Sequence, residues 1–274
     1  MRWLSAGFLI VLLASPVAGQ TPKIADNGVL NGATFQKGEP VAPGSLMSIF
    51  GTQLSSSTAS ADSVPFATTL NNVSVTLSNG NQSFKAPVSY VQPENTSMQI
   101  ASQINAQVPW NLLPSGSPST FNLVVTNNGV TSQPIQVSVG PYSPGIFAIN
   151  GRAVVANVDA TFAWPVGLLA GAPSHPAKPG DIVIIYATGM GAVDSPVQDG
   201  ASSPDRLRNT MVKPVVLIGG MSAAIQFSGL SPQFPGVNQL NVVVPNVAAS
   251  DSVPVQLQMG GITTSNAITI AVSQ

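Results

Sequence analysis

Proton-transfer chemistry in this sequence rests on one histidine, His175, and ten carboxylates, with no cysteine. His175 sits in "APSHPAKPG", where flanking prolines predict a loop. It is either a general base or metal ligand, or an ordinary exposed loop residue. A Ser-His-Asp triad would have to use it, and no G-x-S-x-G elbow accompanies it. Paired carboxylates could hydrolyse glycosides. Most of the acidic residues here lie beside Pro, Gly, Ser or Asn, where Asp closes turns with its own side chain. The tightest group is "VDSPVQDGASSPD", with Asp194, Asp199 and Asp205. Asp194 and Asp199 are the candidate ligands for a hard cation such as Ca²⁺, although EF-hand spacing and its closing Glu are missing. "ATGMGAVD" contains G-x-G without the third glycine of a dinucleotide site, and no P-loop is present, so no cofactor is expected. Trp110 and Trp164 are the candidate ligand-binding residues, with Tyr90 and Tyr186 as further stacking faces. The rival role for both tryptophans is to fill the gap between domains.

These residues need a frame, and composition says which kind. Of 274 residues only 7% are charged, against about 25% in an ordinary soluble domain. Ser, Thr, Asn, Gln and Gly must therefore cover the surface. With 24 Pro and 25 Gly, this predicts many short strands and turns rather than helices. The N-terminus reads as a secretory signal over residues 1–19: Arg2, an apolar run from Leu4 to Ala14, then Val17-Ala18-Gly19 for cleavage. The rival is an uncleaved anchor, but the run is short for a span of roughly 20 residues. No later stretch is long and apolar enough to span, so no membrane span follows cleavage. Export to the periplasm, cell surface or medium is expected. Losing Arg2 leaves 8 basic against 10 acidic residues, a net charge of −2, scattered without basic runs. That excludes the electrostatic footprint of a nucleic-acid partner. Zero Cys excludes disulfides and thiolate zinc sites.

The chain repeats itself. "APGSLMSIFGTQL" from Ala42 matches "KPGDIVIIYATGM" from Lys178 at an offset of 136, placing Thr52 on Thr188. "INAQVPW" from Ile104 falls on "LNVVVPN" from Leu240 at the same offset. "NLVVTNNGVTSQPIQVSV" from Asn122 resembles "VQLQMGGITTSNAITIAV" from Val255. Each repeat reads as strands. "VSVTLSNG" alternates with period two and ends on Asn79-Gly80, and the third match is a hairpin turning at Asn127-Asn128-Gly129 or at Gly260-Gly261. The expected fold is all-β: two tandem immunoglobulin-like antiparallel β-sandwich domains, 20–140 and 141–274. A jelly roll or closed barrel is the alternative. Residues 20–31 read as a loose lead-in. "RAVVANVDATFAWPVG" reads as a hairpin that opens the second domain or bridges the two.

"NGVLNGATFQKGEPVAPGSLMSIFGTQL", "INAQVPWNL", "PGIF", "HPAKPGDIVIIYATGMGAVDSPVQDGA" and "NQLNVVVP" occur in one order from about Asp26 to the C-terminus. In this the chain resembles a family of exported bacterial proteins, the Solibacter-type C-terminal domain abundant in Acidobacteria. The resemblance implies an extracellular module of the kind found at the ends of larger surface proteins, with no catalytic residue to carry over. Two departures stand out. The module follows its signal directly, and "DATFAW" replaces the Asp-Gly-Thr-like turn the resemblance leads one to expect. The reading is a non-catalytic secreted or cell-surface interaction or adhesion module, binding an extracellular protein or polysaccharide. A carbohydrate-binding module is the alternative, and a hydrolase the third.

Overall fold

A computed structural model describes residues 21–264 and 266–274; the signal expected over 1–19 lies outside them. Strands dominate, in four sheets. One sheet orders Lys23–Asn31, Leu46–Thr52, Ser102–Gln107, Val88–Gln92 and Ala59–Ser60, and faces another of Ile135–Val139, Ser119–Asn127, Val73–Asn79 and Gln82–Ala86. The second half repeats the order. Gly145–Ile146, Ile182–Thr188, Asn238–Val243 and Ala224–Leu230 make one sheet. Ile268–Val272, Ser250–Met259, Val215–Ile218 and Met221–Ser222 run through the other. Each half is an immunoglobulin-like sandwich, and period-two alternation builds its core. Val73, Val75 and Leu77 are buried, as are Val183, Ile185 and Ala187, while Ile184 and Tyr186 face outward. Among the described residues no helix is long and apolar enough to cross a membrane.

The two halves share hydrogen bonds as well as strand order. Ala42-Pro43-Gly44-Ser45 is a turn in which the Ser45 N–H donates to the Ala42 carbonyl at 3.0 Å. The Asp181 N–H does the same to the Lys178 carbonyl at 3.0 Å. Pro presets the second position of this turn, and Gly takes the left-handed third, with φ +76 at Gly44. Farther along, the Gln103 side-chain amide donates to Asn105 Oδ1 at 2.7 Å, and Gln239 to Asn241 at 2.9 Å. The Val125 N–H donates to Ser132 Oγ at 3.0 Å, and the Leu257 N–H to Thr264 Oγ1 at 3.2 Å.

One expectation is corrected. Lys23–Asn31 is a strand paired antiparallel to Leu46–Thr52, not a loose lead-in. Asp26-Asn27-Gly28 looks like a turn in sequence, yet it is a register shift inside this strand, with Asn27 at φ +51. Beyond it Val29, Leu30 and Asn31 are buried.

Asn31 then ties the halves together. Its amide donates to the Ser143 carbonyl at 2.6 Å, and Ser143 Oγ–H donates to the Pro40 carbonyl at 2.6 Å. The Leu46 N–H donates to Thr188 Oγ1 at 2.9 Å, and that hydroxyl donates to the Gly236 carbonyl at 2.7 Å. Asn31 and Thr188 are both fully buried. The Asn31 amide and the Leu46 N–H therefore reach these acceptors only while the two sandwiches stay docked.

Candidate functional site

The titratable residues come first, because catalysis would need them. His175 meets Asp159: Nε2 lies 3.0 Å from Asp159 Oδ2, while Nδ1 lies 2.9 Å from the Pro176 carbonyl. Both ring nitrogens face acceptors, an arrangement that favours the protonated ring. The Pro176 carbonyl, then Asp159, raise the His175 pKa. Asp159 Oδ1 accepts from the Thr161 hydroxyl at 2.7 Å and the Thr161 N–H at 3.0 Å. These bonds, helped by His175, lower its pKa to about 2. The pair closes the turn of the expected hairpin, where Ala160 adopts φ +65, the conformation a glycine would take without strain.

Asp194 and Asp199 have separate partners. Asp194 accepts from the Asn209 N–H at 3.1 Å and the Asn209 amide at 2.8 Å. Asp199 Oδ1 accepts from the Trp110 N–H at 2.8 Å. Among the described residues no three His, Cys, Asp or Glu side chains gather where they could hold a metal ion. Asp205 pairs with Arg208 at 2.6 Å, and Arg208 lowers its pKa to about 2. Arg208 is buried and also donates to the Pro196 carbonyl at 2.9 Å and Ser203 Oγ at 2.8 Å, so it organises the loop that carries Asp199.

The tryptophans differ. Trp164 is 1% exposed, and its indole N–H donates to the Ala153 carbonyl at 2.7 Å. Its ring stacks on Phe162 at 4.1 Å. Burial leaves Trp164 no face for a ligand; it supports Phe162 from behind. Trp110 is half-buried and begins a single 3₁₀ turn, Trp110–Leu112. Its six-membered ring lies over Gly44, where a Cβ would sit 2.2 Å from the ring. It also carries the one buried side-chain N–H among the described residues that meets no acceptor.

Around Trp110 the second sandwich grips the first. The Gly200 N–H donates to Gln107 Oε1 at 2.5 Å, and the Gln107 amide donates to the Gly44 carbonyl at 3.2 Å. The Phe66 N–H donates to the Gly200 carbonyl at 2.9 Å. A Cβ on Gly200 would stand 2.6 Å from the Phe66 oxygen, so only glycine allows this approach. A cleft of about 680 Å³ opens beside this grip, lined by Phe66, Trp110, Thr68, Lys85, Gln198 and Asp199 among others. A second groove, about 400 Å³, also uses both halves. Phe147, Phe162, Tyr186 and Phe234 line it from the second sandwich and Leu46 from the first. Tyr186 and Phe234 meet edge to face at 6.1 Å.

Trp110, Asp199 and Tyr186 thus reach the junction, as residues whose types had drawn attention in the sequence. Tyr90 instead donates to Gln92 Oε1 at 2.6 Å within its own sheet. Sequence reasoning missed Gln107, Phe147, Phe234 and Lys85. None left a local signal: Gln107 occupies a polar position of an alternating strand, and its full burial shows only in the structure.

Neither a family model nor a curated protein matches the chain. Several solved structures are similar in part. Domains 5–6 of the S-layer protein SbsC cover 92% of this chain and 98% of their own, at 10% identity and a TM-score of 0.25. The titin structure A168169 covers 86% and 97%, at 8% identity and a TM-score of 0.24. The C-terminal domain of the Streptococcus agalactiae AgI/II polypeptide BspA covers 92% and 100%, at 13% identity and a TM-score of 0.19. Scores this low bear on neither binding nor chemistry.

Proposed function

We propose that this protein is an exported, non-catalytic recognition module that binds an extracellular partner through the junction of its two sandwiches. One observation carries the reading. Both aromatic-lined cavities at the junction draw residues from both halves, and buried hydrogen bonds hold those halves together. Meanwhile His175, Asp159, Asp194 and Asp199 are engaged in turns and loop contacts. Concave, mostly preformed sites at domain interfaces are where ligands bind. The resemblance to the Solibacter-type module supports the same reading and implies export from a bacterial cell.

The test uses a photo-cross-linking residue at Phe234, in the groove, and another at Asn81, in a hairpin of the first sandwich. Cells are divided into cytoplasm, periplasm, outer membrane and medium after illumination. The expected result is export, with an adduct from position 234 and none from 81. Retention in the cytoplasm, or recovery as a free monomer from both sites, would overturn the proposal.

A further inference from the structure

Resting on that recognition role, we infer that the cleft beside Trp110 is a binding site for a neutral saccharide. Its volume, about 680 Å³, lies within the roughly 300–1,000 Å³ of small-ligand sites. A sugar ring presents an apolar C–H face and a rim of hydroxyls that both donate and accept. The cleft offers both complements. Phe66 and Trp110 supply apolar aromatic surface, and neither is fully buried. Lys85 donates, Gln198 and Thr68 donate and accept, and Asp199 accepts.

Among the described residues no hydrogen bond is made by the side chains of Thr68, Lys85 or Gln198, and all three are exposed. Several unpaired polar groups around aromatic surface are arranged for a ligand with many hydroxyls. Charge selects the class. One cation, Lys85, and one carboxylate, Asp199, balance within the cleft, and the mature chain is slightly acidic, so nothing draws in a polyanion. The apolar groove under Phe234 contains no charged residue and, besides Gln233 and the Tyr186 hydroxyl, little polar chemistry for a sugar.

The test titrates the purified mature chain with cellohexaose, laminarihexaose, xylohexaose and mannohexaose, and with polygalacturonate, by calorimetry. At least one neutral hexaose is expected to bind. Lys85→Met and Gln198→Ala, both at exposed positions, should each weaken that binding about tenfold or more. Asn81→Ala, at a hairpin residue that lines neither cavity, should leave it unchanged, and Tyr186→Ala tests the other groove. Four results would overturn the inference: no hexaose binds, K85M and Q198A bind as the parent does, polygalacturonate binds more tightly than every hexaose, or only Y186A loses binding. A protein adduct at position 234 with no hexaose bound would sink this inference and leave the recognition role standing.

Discussion

Thr52 and Thr188 end the same strand in two copies of one sandwich, and they do opposite things. Thr52 is exposed at the end of its strand, opposite Lys23. Thr188 is fully buried, accepting from the Leu46 N–H and donating to the Gly236 carbonyl. The next pair diverges the same way. Gly44 is packed under Trp110, whereas nothing lies within 4 Å of a Cβ on Gly180, and Asn246 stands where the repeat would place a second Trp110. The two halves share the frame: strand order, Pro-Gly turns, the Gln-x-Asn hydrogen bond. Divergence at the facing ends made the junction, and with it both cavities. The difference teaches that the informative positions are those where the repeat fails to repeat.

Substitutions at paired positions can break that comparison. The largest effect is expected at the turn glycines. Gly44→Ala adds left-handed strain of about 1–2 kcal/mol. It also drives a methyl into the Trp110 ring, costing about 1–3 kcal/mol more. Gly180→Ala should carry only the strain, about 1–2 kcal/mol. Urea unfolding of both variants checks this, and equal losses would refute the asymmetry. Next comes the threonine pair. Thr188→Val leaves the Leu46 N–H and the Gly236 carbonyl unpaired, which should cost about 1–3 kcal/mol. Thr52→Val should fall within about 0.5 kcal/mol of the parent.

The smallest effect is with pH. Asp159, His175 and Asp205 all lie in the second sandwich. The two carboxylates have lowered values, so their contribution is present above the ordinary carboxylate pKa of 3.8 and fades as pH falls toward about 2. His175 has a raised value; its contribution is full below 6.5 and fades as pH rises through that raised value. Amide protection, taken relative to the intrinsic exchange rate, should therefore fall around Val155–Asn157 and the Arg208 loop below about pH 4, before it does in the Val73–Asn79 strand. Simultaneous loosening of both sandwiches would contradict this.

Much of the frame was legible in the sequence because it depends on local rules. Alternation set the strands. Asn-Gly and Gly-Gly set the hairpins, where Asn128 and Gly129 take φ +48 and +80, and Gly260 and Gly261 take +57 and +83. The strand at Lys23–Asn31 was hidden because Asp26-Asn27-Gly28 spells a turn whether it ends a strand or only bulges it. The site was only half visible. Trp110 and Asp199 drew attention by type, but their meeting at 2.8 Å depends on a loop of the second sandwich reaching the first. Lys85 and Phe234 carry no local mark, since their role comes from which surfaces the docking brings together.

The central claim is that the two sandwiches form one body. The chain has no cysteine, so spin labels can be placed on Asn81→Cys and Ile262→Cys, one exposed hairpin in each half. The interspin distance distribution should be single and narrow in the otherwise unaltered protein. It should broaden when Gln107→Ala and Thr188→Val remove the junction hydrogen bonds. A distribution already as broad before those changes would show that the sandwiches move independently, and would contradict the account.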